Sequence, residues 1–167
     1  MIFLKNYTSE VPVHITIGRI EALLIRCGVS GIMKEYKGTS GKMVALTFKI
    51  DLDGQKPCTI RLPADEEAAL TALWAQYANG AKLSPDGQAV WGAPNKRKKR
   101  EDFRQQAERT AWKLMQDWVE VQLSLIQMKQ ADFMQVFLPY VWDGERTFYQ
   151  ALRSSGFKGL LADKSSS

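Results

Sequence analysis

Apolar and polar residues alternate by twos in the middle of this chain and by threes and fours on either side of it. Over residues 42–51, Val44, Leu46, Phe48 and Ile50 fall on one side of an extended backbone and Thr47 and Lys49 on the other. That spacing predicts a strand with one solvated face. Residues 56–62 repeat the pattern, with Cys58, Ile60 and Leu62 inward and Thr59 and Arg61 outward, and residues 30–37 form a third strand-like run. Gly38-Thr39-Ser40-Gly41 and Asp53-Gly54 supply the reversals between them, so the three runs predict an antiparallel meander.

Helical spacing brackets the meander. Ile17, Ile20, Leu23, Leu24 and Cys27 line one side of a short helix, with Thr16 as its cap and Gly28 as its stop. The first seven residues read as a strand or a loose arm. Pro63-Ala64-Asp65-Glu66-Glu67 opens a second helix with acids in its first turn, where the helix dipole favours them. Leu70, Leu73, Trp74 and Tyr77 form its buried stripe, and Asn79-Gly80 ends it. From about residue 101 to 130 no Gly or Pro interrupts a long helix. Ala107, Ala111, Leu114, Trp118, Val121, Leu125 and Met128 recur at steps of four and three, and Trp112, Met115, Val119 and Ile126 widen the stripe. Arg109, Lys113, Gln116, Glu120 and Gln127 lie opposite. Residues 131–161 read as two short helical pieces separated by Pro139 and Asp143-Gly144, and 162–167 as a frayed tail. The expected fold is therefore a single α+β domain over residues 1–161: helix, three-stranded antiparallel meander, helix, then a long C-terminal helix with short helical pieces.

Composition narrows the class. The 167 residues are 45% hydrophobic and 25% charged, values typical of a globular chain able to bury a core. No apolar run is long enough to span a bilayer, and residues 1–5 do not read as a secretion signal. The expected compartment is the cytoplasm. Cys27 and Cys58 sit among apolar neighbours and read as buried reduced thiols.

Charge is unevenly placed. The chain has 23 Lys+Arg and 18 Asp+Glu, and Lys96-Arg97-Lys98-Lys99-Arg100 contains five cations without an anion. That run equals the whole net charge of +5, so the rest of the chain is balanced. A local patch implies a local partner or a local steering role. It ends a turn-rich stretch containing Ser84-Pro85-Asp86-Gly87 and Gly92-Ala93-Pro94, which together read as a mobile basic loop over about residues 81–100.

Little in the sequence suggests catalysis. A lone histidine, His14, gives no zinc spacing and no nucleophile–base device, and it reads as a loop or surface residue. The Gly38–Lys42 segment superficially matches a phosphate loop, but it joins strand to strand rather than strand to helix. The carboxylates Glu21, Glu35 (with Lys37), Asp51 and Asp53 read as turn or solvated strand residues rather than a Mg²⁺ site. Neither an enzyme nor a metal or cofactor requirement is expected.

For the basic run three readings stay open: a solvated spacer or protein contact, a phosphate grip on DNA or RNA, and capture of a small anion near the start of the long helix. Trp91 either stacks a base beside these cations or folds back onto the core, while Arg104, Arg109 and Lys113 would extend the patch along the helix. The leading expectation is a nucleic-acid or anion interface made of Trp91, Lys96, Arg97, Lys98, Lys99, Arg100, Arg104, Arg109 and Lys113. The alternative is an interaction protein that binds a host protein or sequesters a small nucleotide.

Two resemblances bear on this. The helix–strand–strand–strand–helix order resembles that of double-stranded RNA-binding domains, but the lysine-rich start of their last helix is here Asp65-Glu66-Glu67, so the functional residues do not carry over. A second pattern combines Ile20-Glu21 and Leu23-Leu24 with Leu62-Pro63. A helix with Ala111-Trp112-Lys113, Asp117-Trp118 and Gln122-Leu123 completes it, and Phe137-Leu138-Pro139-Tyr140 follows. This pattern resembles small uncharacterised proteins carried by bacteriophages and other mobile elements. It implies a setting of DNA transactions or antagonism of host defence. Asp117, among apolar residues, reads either as a buried acid paired with Lys113 one turn earlier or as half of a solvated i,i+4 pair with it.

Overall fold

Three strands pair as expected in the computed structural model, which describes residues 3–52, 56–86, 88–94 and 96–158. Strands β1 (Gly31–Lys37), β2 (Lys42–Ile50) and β3 (Cys58–Pro63) form an antiparallel sheet in that order. A short 3₁₀ turn, Gly38–Ser40, joins the first two, and Gly41 takes φ 65°, a conformation that favours glycine. The Asp53-Gly54 reversal, Gly87, Asn95 and the tail lie outside the described residues.

The chain folds into two compact units. One comprises Leu24–Pro63 and Gln122–Ser167 and contains the sheet. On its inner side Leu46, Phe48, Ile60 and Leu62 are buried, and Phe48 meets the rings of Phe137 at 5.7 Å and Phe133 at 6.4 Å. Those phenylalanines sit on a short helix, α4 (Phe133–Phe137), which is started by a reciprocal cap between Asp132 and Gln135. The second short helix, α5 (Phe148–Ser154), is capped in the same way by Thr147 and Gln150.

The other face of β2 differs from expectation. Thr47 is only 4% exposed and Ala45 is fully buried, although alternation predicts a solvated face there. Long side chains on the flanking strands supply the cover. Glu35 on β1 and Arg61 on β3 lie on either side of the central strand, and the guanidinium donates to both carboxylate oxygens at 3.0 and 2.7 Å. Thr47 donates its hydroxyl to the same carboxylate at 3.2 Å. A bulge after Glu35 also breaks the shared face expected for Glu35 and Lys37.

The second unit comprises Met1–Leu23 and Ala64–Val121. Helix α2 (Glu66–Ala78) is capped by Asp65, whose carboxylate accepts from the Ala68 N–H at 2.8 Å. Its Ala69, Leu70 and Leu73 pack with Ala107 and Ala111 of α3 (Arg104–Gln127) in one buried cluster, where Leu4, Tyr7, Ala64 and Phe103 also contact. Full burial of each leucine contributes about 2 kcal/mol. The N-terminal segment is an arm tied to both helices. Leu4 N–H donates to Gln76 Oε1 at 3.0 Å, and Thr110 and Gln106 donate to the carbonyls of Asn6 and Ser9.

Helix boundaries and faces shift in three places. Helix α1 (Val13–Arg26) begins directly after Pro12, so Thr16 lies buried inside the helix rather than capping it. Cys27 is exposed and Cys58 half-buried, so neither is the fully buried thiol expected. On α3 the buried line runs through Trp112, Gln116, Val119 and Leu123, whereas Val121 and Met128 are 55% and 59% exposed. Apolar residues cover so much of that helix that spacing alone leaves the inward face undetermined.

Candidate nucleic-acid interface

The basic loop is rooted in a small hairpin that follows α2. Asn79 closes the helix, and Gly80 turns the chain with φ 64°. Strands β4 (Ala81–Leu83) and β5 (Ala89–Trp91) then pair antiparallel, with Ala81 opposite Trp91 and Lys82 opposite Val90. The expected loop over residues 81–100 is thus partly strand, for two local reasons. Ser84 N–H donates to the Gln88 carbonyl at 2.9 Å and receives the Gln88 N–H on its hydroxyl at 3.1 Å, which closes the tip. At the neck, Gly92 N–H donates to the Gly80 carbonyl at 3.1 Å. A side chain at Gly80 would place its Cβ 2.2 Å from the Ala93 carbonyl oxygen, so the neck requires glycine.

Trp91 is 45% exposed on this hairpin, next to exposed Val90. Two cations, Lys82 and Arg97, line a shallow groove of about 400 Å³ together with Tyr77, Gly80, Ala93 and Pro94. Lys82 is the residue that sequence reasoning missed. Its alternation with Ala81 in a three-residue strand is too short a signal to separate from turn chemistry.

An aromatic cluster anchors the far end of the basic run. Lys98 donates its backbone N–H to the Tyr77 hydroxyl at 2.9 Å and holds its ammonium 5.6 Å from the Phe103 ring centre. Phe103 in turn packs on Tyr77 and Trp74. A 3₁₀ turn, Arg100–Phe103, precedes α3, and Asp102 accepts the Lys99 N–H at 2.8 Å. The cations of residues 96–99 therefore precede the helical residues, and Asp102 occupies the N-terminal turn where the dipole favours an anion.

The nine residues expected to act together divide into separate sets. Arg100 pairs with Glu67 of α2 and also donates to Thr71 at 3.1 Å, while Arg104 pairs with Glu101 and stands 3.5 Å from Glu67. The Arg100 hydrogen bond leads the effects that hold Glu67 below the usual carboxylate range, and Arg104 does the same for Glu101. Lys113 is committed to Asp117 at 2.7 Å. At 100° per residue, Arg109 and Lys113 stand about 140° and 180° around α3 from Arg104, so they do not extend its side of the helix. Among the described residues, no carboxylate stands within ion-pair distance of Lys96, Lys98 or Lys99, and all three are exposed together with Arg97. The candidate interface thus contains Lys82 and Arg97, which line one groove, with Lys96, Lys98 and Lys99 exposed next to Arg97 in sequence and Trp91 exposed on the same hairpin as Lys82.

Asp117 anchors the arm. Its carboxylate receives Lys113 and Lys5 at 2.7 Å each and the Asn6 amide at 3.0 Å. Burial alone would raise its pKa, but these donors outweigh burial and hold it at about 2. The expected Lys113–Asp117 pair is present, and the arm residues Lys5 and Asn6 complete it. His14 is exposed on α1, and among the described residues no group of three His, Cys, Asp or Glu side chains converges to hold a metal. No helix among the described residues is long and apolar enough to cross a membrane. Comparison with known protein families, curated proteins and solved structures finds no match for the chain.

Proposed function

We propose that this chain is a non-catalytic nucleic-acid-binding protein that grips a phosphate backbone with Lys82, Lys96, Arg97, Lys98 and Lys99 and stacks a base on Trp91. One observation carries the reading. Arg100, Arg104 and Lys113 are neutralised by carboxylates of the same unit, whereas Lys96, Lys98 and Lys99 are exposed with no carboxylate in ion-pair distance among the described residues. Exposed cations without a neighbouring carboxylate are what counterion release requires, and an exposed aromatic such as Trp91 is what base stacking requires. The groove between Lys82 and Arg97 is wide enough for a phosphate group, and the cap on Lys99 and the Tyr77 anchor fix the loop's root. An accessory role in DNA or RNA transactions of phage or mobile-element type is part of this proposal, suggested by the sequence pattern of Ala111-Trp112-Lys113, Asp117-Trp118 and Gln122-Leu123 alone.

The test is fluorescence anisotropy with labelled single- and double-stranded DNA and RNA across a salt series. Its variant replaces Lys96, Arg97, Lys98 and Lys99 together with glutamine and keeps Arg100, which ties the turn to α2. Wild-type affinity is expected to fall steeply with salt, and the variant to lose about 3 to 4 units of the log–log slope on duplex DNA. Equal binding by the variant, or no salt-sensitive binding by the wild type at low salt, overturns the reading.

A further inference from the structure

The outward face of the three-stranded sheet holds a second concavity, formed within the unit that contains the sheet. Gly31, Lys49 and Thr59 stand directly opposite one another across the three strands, and Met33, Thr47 and Arg61 form the next row on the same face. Gly31 leaves a gap in its row: a Cβ there would meet nothing within 4 Å. Beyond β3, Val141 bridges Ile60 and Trp142 donates its backbone N–H to the Thr59 carbonyl at 2.8 Å, which brings the indole to the edge of this face.

The indole is held by a neighbouring cation. The Arg61 guanidinium lies 4.7 Å from its ring centre, and Glu35 fixes Arg61 through two hydrogen bonds. The resulting cleft, of about 410 Å³, is lined by Gly31, Met33, Thr47, Lys49, Thr59 and Trp142 among others. That size falls within the range of small-molecule sites. Arg61 does not line the cleft, and the Thr47 hydroxyl is committed to Glu35. Among the described residues, Lys49 is the only charged one in the lining. Its walls therefore offer a fixed aromatic surface, an apolar thioether, a free threonine hydroxyl and one cation. These suit a flat aromatic ring that carries an anionic group.

We propose that this cleft binds a nucleotide, with the base against Trp142 and the phosphate at Lys49. A free mononucleotide and the phosphorylated 5′ end of a strand share that chemistry, and the experiment separates them. The inference does not rest on the basic loop, so the variant with glutamine at residues 96–99 is expected to keep this binding.

Calorimetric titration is run with AMP, adenosine, and a tetranucleotide with and without a 5′ phosphate. Two variants bracket the cleft. Gly31→Val fills it from a strand position where its Cβ has room, and Lys49→Gln removes the cation from an exposed site. Both are checked for folding by circular dichroism. Gly31→Val is expected to weaken AMP binding at least about tenfold. Lys49→Gln should weaken AMP about tenfold while leaving adenosine within about twofold, the effect of one charge-assisted contact. If AMP is silent and the 5′-phosphorylated tetranucleotide binds in a Gly31-sensitive way, the proposal stands with the strand end as its ligand. Undiminished binding in folded Gly31→Val, or no heat from either phosphorylated ligand at about 10 mM, overturns it.

Discussion

Asp117 shows how one residue can tie a chain end into a fold. Two ammonium groups and an amide converge on a carboxylate that is only one-fifth exposed, and hold its pKa at about 2 against an ordinary value of 3.8. Because the folded-state pKa is the lower one, the contribution is present above pH 4 and is lost as pH falls through 2. After allowance for partial solvent screening it amounts to about 1–2 kcal/mol. Asp117→Asn should therefore lower unfolding free energy by about that amount at pH 7 and leave Lys113 without its partner. The gap between variant and wild type should close between about pH 4 and pH 2 in urea titrations; a constant gap would contradict the assignment.

At the scale of elements, the β4–β5 hairpin depends on one glycine. Gly80 combines a left-handed φ with a carbonyl oxygen 2.2 Å from where a Cβ would sit. Gly80→Ala should destabilise the protein by about 1–3 kcal/mol, read by denaturant unfolding. Hydrogen exchange of the Gly92 amide, which bonds to the Gly80 carbonyl, should accelerate with it. Unchanged protection at Gly92 would show that the neck does not depend on that geometry. The hairpin also explains why turn chemistry alone misled: contacts between Ser84 and Gln88 close a reversal where turn residues were read, yet the three-residue strands on either side of it are too short for alternation to register.

For the molecule as a whole, charge is the governing quantity. The five cations of residues 96–100 equal the net +5, but Arg100 is engaged by Glu67, whereas among the described residues no carboxylate stands within ion-pair distance of Lys96, Lys98 or Lys99. Replacing Lys96, Arg97, Lys98 and Lys99 with glutamine brings the net charge from +5 to about +1 and should abolish retention on a cation exchanger at pH 7. Its melting temperature should move by less than about 2 °C, since substitutions of exposed side chains carry little stability. A loss of several degrees would mean that the run is a structural element instead.

Local spacing was enough to place the three-strand meander, the helix opening at Pro63–Glu67, the two short helices around Pro139 and the concentration of charge in residues 96–100. Each of these follows from residues near in sequence: alternation, caps, turns and a run of like charge. The Lys113–Asp117 pair was legible for the same reason, as a contact one helical turn apart. Pairings distant in sequence were not. That Arg100 and Arg104 would be neutralised by Glu67, that Lys5 and Asn6 would join Asp117, and that Glu35 and Arg61 would seal Thr47 under their side chains all depend on which segments fold against which. The same holds for α3, whose broad apolar surface allowed several inward faces until its neighbours selected the one through Trp112 and Val119. Side-chain period reports a residue's position on its own element, while its partners are set by long-range packing, and here the partners decide which cations remain available to bind.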